Sequence, residues 1–420
     1  MPSLASLPRP ISLDLAPIEV AAACRHLPGC VFFDTAVDQG DKEALSIVAA
    51  RPVEIIRGRS DAEWEALQSR LRARQTAVEF DAGMPNGMAA GYVGYDGAFC
   101  FGIYPEALIF RHADQSWHEI GRFLDLLGHG MPEAAPVTAG PRFAPRMTKD
   151  YFCGMVARAQ EWIAAGDIYQ VNLAHPFTAP WDGDAFAFYE ALRHYSPAPQ
   201  AAFMELGDRV ILSASPESFL KMSGRSIRTR PIKGTRPRRS EPNADALSAY
   251  ELRTSPKEMA ELVMITDLER NDLGRICEYG SVCVGELLKI ERFEQVYHLV
   301  STVEGRLRSD VDHVQALRAC FPGGSITGAP KKRAREIIAA LEPWPRGLYT
   351  GAIGWFGFNG ESHFNITIRT VVAENGAAHF HVGAGIVADS IPEKEWQETL
   401  DKAAGILLAA ERFGAPHGYG

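Results

Sequence analysis

The sequence predicts a mixed α/β or α+β fold with extensive antiparallel pairing, on three observations. From about residue 146 onward, helical segments with recognisable capping chemistry alternate with β-type runs. Several of these runs follow one another directly, which is the connectivity of antiparallel strands. The chain has 420 residues, 46% hydrophobic and 23% charged, enough for two ordinary domains or one large interlocked one.

Residues 1 to about 140 are loosely patterned, with short apolar runs such as Val31-Phe32-Phe33 and Ala90-Gly91-Tyr92-Val93-Gly94-Tyr95. Gly128–Pro145, rich in Gly, Pro and Ala, reads as a connection to a second region spanning 146–412. There, Tyr151–Ala165 is helical by pattern and stops at Gly166, a C′ glycine. Ile168–Pro176 and Val210–Ser213 read as strands. Ser255-Pro256-Lys257-Glu258 offers an N-cap serine, proline at the first helical position and a glutamate placed to bond back. Met259, Leu262, Val263 and Thr266 then follow one face. Tyr349–Phe358, Phe364–Val372 and Ala378–Val387 read as strands, and Ser390-Ile391-Pro392-Glu393 as a second capping box opening a helix to about Arg412.

A net charge of −9 disfavours general affinity for nucleic acid or anionic membrane. Met1–Leu15 lacks the pattern of a secretory signal, and no apolar run approaches the ~18–20 residues of a membrane span. The seven cysteines are odd in number and scattered without a Cys-x-x-Cys pair, so neither a disulfide framework nor a structural zinc site is expected. The expected compartment is cytoplasmic.

Four segments carry candidate chemistry. In Arg228–Arg239 six of twelve residues are basic. Composition alone fits a solvated loop, but Pro231 and Gly234 constrain the backbone around Lys233, and neighbouring cations would favour its neutral, nucleophilic form. Phe321–Lys332 is a glycine-rich turn entering a helix near Pro330. Ala329 stands where a phosphate loop needs lysine, so backbone N–H groups suited to a carboxylate or hydroxyl are what remains. His381–Ser390 is a strand that its glycines would weaken unless a ligand approaches closely. It feeds a helix placing Glu395, Glu398 and Lys402 on one face, where carboxylates with one further acidic ligand would suit magnesium. That further ligand is sought among Glu258, Glu261, Asp267, Glu269 and Asp272, most of them expected at the surface, and pattern does not choose. His298 and Arg369 lie beside apolar runs, where a buried, satisfied histidine is the better reading and a structural arginine an equal one.

Taken in order, several motifs resemble the chorismate-utilising enzymes, over roughly residues 146 to 405. They are Gly166-Asp-Ile-Tyr-Gln-Val-Asn172, Ser213-Ala-Ser-Pro-Glu-Ser218, Pro231-Ile-Lys-Gly-Thr235, Asp267-Leu-Glu-Arg-Asn-Asp-Leu-Gly-Arg275, Phe321–Lys331 and Gly383-Ala-Gly-Ile386. That family includes the component I subunits of anthranilate and aminodeoxychorismate synthase and the isochorismate and salicylate synthases. The resemblance implies a large αββα sandwich whose halves, 1–140 and 146–412, interlock. It implies Glu261 and Glu398 as direct magnesium ligands and Glu395 as one acting through water. Arg369, Tyr349, Lys402 and the backbone of Gly383, Ala384 and Gly385 resemble the carboxylate-binding set. Thr327 and His298 line the ring site, and Glu217 resembles the acid that protonates the departing C4 hydroxyl.

Two positions divide the family. Gln170 stands where the isochorismate and salicylate enzymes have a basic lysine, which disfavours attack by water. The Pro-Ile-x-Gly-Thr motif carries alanine in the anthranilate enzymes and lysine in aminodeoxychorismate synthases; here it is Lys233. The resemblance therefore implies conversion of chorismate and ammonia to 4-amino-4-deoxychorismate, a precursor of p-aminobenzoate and folate, through a Lys233 adduct. Anthranilate formation is the alternative, and a non-catalytic chorismate-binding regulator a remote one. Phe32-Phe33-Asp34-Thr35 replaces the Leu-Leu-Glu-Ser of tryptophan-inhibited enzymes, which disfavours tryptophan feedback. With no glutaminase segment in the sequence, a separate glutamine amidotransferase subunit is the expected ammonia source.

Overall fold

A computed structural model describes residues 7–37, 41–76, 83–129, 139–292 and 296–413. Two large sheets face each other, and every strand pairing among the described residues is antiparallel. Among the described residues the first sheet holds twelve strands. Its centre runs from Val31–Asp34 through Gln200–Leu206, Arg209–Ser215, Thr370–Glu374 and Ala377–Ile386 to Gln170–Pro180. The second holds ten, running from Ile232–Pro237 through Val296–Arg306, Ser226–Thr229, Ser218–Ser223, Glu361–Ile366 and Ala352–Gly357 to Met88–Val93.

Strand alternation sorts the side chains into layers. Ala202 and Met204 point between the sheets with Met88, Ala90, Ile353 and Trp355, whereas Ala201 and Phe203 point outward. The outward set packs under the helices Ala185–Tyr195 and Pro392–Arg412. On the far side of the second sheet, Trp64, Leu67, Val314 and Leu317 bring two further helices onto Phe101, Phe356 and Phe364. The result is the four-layer αββα sandwich. Strands of the first 140 residues are built into both sheets: Phe33 pairs with Ala202, and Tyr92 with Ile353.

Several sequence expectations need adjusting. Phe364–Val372 is two strands, because the chain crosses from one sheet to the other at residues 367–369, and Arg369 takes a left-handed φ of 48° at the crossing. The second capping box is not formed. Ile391 is the N-cap, and the Ser390 hydroxyl instead donates to Glu395 Oε1 at 2.7 Å. Along Pro256–Gly274 the buried face holds Leu262, Ile265, Thr266, Glu269, Asp272 and Leu273, while Val263 is exposed. Of the acids in that helix only Asp267 is exposed; the others are wholly or partly buried, contrary to a surface role for most. Of the connection expected over Gly128–Pro145, residues 130–138 lie outside the described residues, and Ala144–Pro145 pairs with Thr178 and Phe177. The described cysteines are all free, and no described helix is long and apolar enough to cross a membrane.

Candidate active site

Two chain crossings between the sheets create the site. Arg209–Ser215 leaves the first sheet and Ser218–Ser223 enters the second, so Glu217 sits in the passage. The crossing at Arg369 lies alongside: Ile366 N–H donates to Glu217 O at 3.0 Å, and Ala214 N–H donates to Arg369 O at 3.0 Å. Both side chains enter a cavity of about 560 Å³, whose wall also includes Lys233, Glu261, His298, Ser325, Tyr349, Gly383, Gly385, Glu398 and Lys402.

Lys233 reaches the cavity because its strand bulges. Between Lys233, opposite Leu299, and Thr235, opposite His298, the register shifts at Gly234, which has φ +71°. A Cβ there would come within 2.8 Å of Glu258 Oε2 and 2.6 Å of Leu252, so only glycine fits the bulge. The sequence expectation that cations crowd Lys233 is not met. Arg228 pairs with Glu43, Arg230 with Glu291, Arg236 with Glu258 and Arg238 with Asp245, so each of these cations is neutralised by its own carboxylate. The charges that sense Lys233 are instead carboxylates, those of Glu217, Glu261 and Glu398. Its Nζ donates to Ser325 O at 3.4 Å.

The glycine strand is open because other side chains cover it. A Cβ on Gly385 would lie 2.6 Å from Gln170 Nε2 and 3.9 Å from Lys233 Nζ; one on Gly383 would lie 2.7 Å from Tyr349 Oη. Lys402 bridges helix and strand, donating to Gly383 O at 2.9 Å while pairing with Glu398 at 2.7 Å. Ala384 points to the opposite face, into an apolar cluster with Leu173 and Ile386, so only its backbone is available to the site.

Burial pushes the Glu217 carboxyl above the ordinary range, with the Ser325 hydroxyl, donated at 2.7 Å, and the Lys233 charge opposing. A carboxyl held in its acid form is suited to donating a proton. Burial, with Arg369 adding to it, lowers His298 to about 4, so its imidazole is neutral, and Nδ1 is 2.9 Å from the Thr235 hydroxyl.

Three expected site residues stand back from the cavity wall, the first being Gln170, which is buried with its amide lying against Gly385. Thr327 is fully buried with its hydroxyl donated to Gly323 O at 2.8 Å; it shapes the glycine turn while Ser325 and Ile326 face the cavity. Glu395 lies behind the wall, its Oε2 buried without a hydrogen-bond partner. Among the described residues no three His, Cys, Asp or Glu side chains are grouped to hold a metal ion as they stand. The Lys257 ammonium lies between Glu261 and Glu395, 3.9 and 3.7 Å away. The donor set still fits a hard dication: it is all oxygen, and Glu395 Oε2 lacks any partner. Sequence reasoning missed Ser325, which holds Glu217, and also Asn172 and His381, two polar residues of the cavity wall.

Residues 30–408 match the model of the chorismate binding enzyme family. The chain belongs to the chorismate-binding enzymes. It is 41% identical over 370 residues to aminodeoxychorismate synthase component 1 of Salmonella typhimurium, covering 82% of each chain. It is 46% identical over 290 residues to anthranilate synthase component 1 of Streptomyces coelicolor, covering 69% of this chain and 57% of that one. Among solved structures, anthranilate synthase component I of Streptococcus pneumoniae superposes with a TM-score of 0.77 at 31% identity, over 87% of this chain and 92% of that one. As a chorismate-binding enzyme, the chain places its lysine, buried acid and glycine strand around one cavity.

Proposed function

We propose that this protein is component I of an aminodeoxychorismate synthase, a cytoplasmic enzyme that replaces the C4 hydroxyl of chorismate with an amine. The observation that carries this reading is Lys233, whose Nζ enters the same cavity as the buried Glu217 carboxyl and lies over Gly385.

The steps follow from those positions. The Lys233 Nζ lone pair forms a bond to C2 of chorismate, the ring double bond shifts, and the C4–O bond breaks. Hydroxide is a poor leaving group, so Glu217 gives its proton to the departing oxygen, which leaves as water. Ammonia then bonds to C4, the double bond shifts back, and the C2–Nζ bond breaks to return the lysine. The Glu217 carboxylate recovers a proton from the new ammonium group. Arg369, Tyr349, Lys402 and the backbone of Gly383 to Gly385 orient the carboxylates, and neutral His298 borders the ring without adding charge. Glu261 and Glu398, with Glu395 through water, would hold a magnesium ion, which supplies positive charge for the ring carboxylate. A glutamine amidotransferase subunit would deliver the ammonia.

Anthranilate synthesis is the second reading, favoured by the 46% identity to an enzyme of that name. Chorismate, magnesium and an ammonium salt, with products identified by mass spectrometry, separate the two. The proposal expects 4-amino-4-deoxychorismate; fluorescent anthranilate formed without an added lyase would overturn it.

A further inference from the structure

The helices Pro256–Gly274 and Pro392–Arg412 bring several acids together beside the cavity, and one lysine sits among them. Glu398 and Glu258 have cations of their own, Lys402 at 2.7 Å and Arg236 at 3.3 Å. Glu261 and Glu395 share one. The Lys257 ammonium, 3.9 and 3.7 Å away, is the only ion-pair partner of either among the described residues. Glu395 is buried, and its Oε2 has no hydrogen-bond partner. A buried carboxylate left without a counter-charge is strongly destabilising, so the charge balance of both acids falls to Lys257.

Helix energetics does not account for a lysine at this place. Lys257 is the second residue of its helix, where the macrodipole disfavours a cation. Lysine four residues before glutamate is also the weaker orientation of that pair. Among the carboxylates that sense Lys257, the leading one is Glu395, on the other helix. The hold is loose all the same. Both contacts are longer than hydrogen bonds, and 53% of the side chain is exposed, so its flexible stem can swing into solvent. Lys402, by contrast, is fixed between Glu398 and Gly383 O.

We infer that Lys257 is a built-in competitor for the divalent cation at these acids. It balances Glu261 and Glu395 in the metal-free protein and is displaced into solvent as the metal binds. The inference rests on the reading of Glu261, Glu398 and Glu395 as the magnesium set. A dication drawing on the same oxygens would repel the ammonium, and the loosely held, exposed lysine is the group that yields. Its displacement opposes binding, so the affinity for magnesium is set lower than the carboxylates alone would give.

The test titrates magnesium into the full chain by calorimetry, without substrate, and follows thermal melting with and without the ion. Lys257→Met should bind magnesium about tenfold more tightly than wild type. It should melt lower than wild type without the ion and gain more from its addition. Lys257→Arg, which keeps the charge, should stay close to wild type. Lys289→Met removes a charge that pairs with Glu286 on the strand Cys283–Arg292 and should leave the affinity unchanged. If Lys257→Met does not fold without magnesium, Lys257→Gln carries the same comparison. Unchanged or weaker binding in the neutral Lys257 variants overturns the inference. So does equal tightening by Lys289→Met, which would reduce the effect to net charge. Absence of magnesium binding in wild type and every variant would refute the reading of these acids as a metal site, and the inference with it.

Discussion

Lys233 and Glu217 come from different strands and meet only because the chain bulges at Gly234 and changes sheets at residues 216–217. Their roles predict different losses. Lys233→Ala should abolish both C4 amination and the covalent chorismate adduct seen by intact-protein mass; amination left untouched would remove the covalent role. Glu217→Gln keeps the shape but cannot donate a proton, and turnover should fall about 10²–10⁴-fold. The pH dependence has a definite sign. Burial raises the Glu217 carboxyl, so its acid form persists above the ordinary carboxylate range, and the rate should decline as pH rises through that raised value. The alkaline limb should be absent from the residual activity of the Gln variant. Lys233 and Glu217 were legible only through their motifs. Asn172 and His381 were not legible as cavity residues, because which polar side chains face a cavity is a property of three-dimensional packing.

Among the elements, the helix Pro256–Gly274 carries the clearest test. Glu269 is buried with its Oε2 accepting from Thr229 at 2.7 Å, and burial pushes its carboxyl up to about 8. The unfolded chain would ionise this group near the ordinary carboxyl value of 4.5. Its contribution to stability is therefore full below that value and is lost as pH rises towards about 8. Glu269→Gln does not titrate, so melting temperatures across pH 5 to 9 should move increasingly in the variant's favour as pH rises. A constant offset would mean that Glu269 is not protonated in the fold. The start of this helix was readable, since Ser255 does accept from Glu258 N–H. Its inner face was not, because Glu269 and Asp272 look like surface charges until Thr229 and Lys331 are brought over them from other elements. The glycine strand was read as a place where a ligand approaches closely; the groups that approach it in the structure are the protein's own Gln170, Tyr349 and Lys233. Gly385→Ala should fold, since the group it meets is the end of the Gln170 side chain, yet lose activity by displacing that amide towards Lys233.

For the molecule as a whole, the mixed sheets decide which pieces can stand alone. Residues 146–412 hold the motifs, but Gln200–Leu206 and Ala352–Gly357 pair with strands of the first 140 residues. A 146–412 fragment would expose two strand edges and the apolar layer between the sheets, so it should lack a cooperative melting transition by circular dichroism. Arg346 ties the site to this frame, donating to Asn172 O at 2.7 Å and Ile326 O at 3.1 Å and pairing with Glu342 at 2.7 Å, all buried. Arg346→Met leaves Glu342 uncompensated and should cost about 3–5 kcal/mol in urea unfolding. The layered architecture was foreseeable from the resemblance, whereas the crossings that build the cavity were not. Phe364–Val372 reads as one continuous strand because its apolar pattern does not mark the change of sheet at Arg369. The account turns on what the lysine in that cavity does to chorismate. With chorismate, magnesium and ammonium, mass spectrometry and NMR of the product should show 4-amino-4-deoxychorismate, and anthranilate in its place would contradict the account.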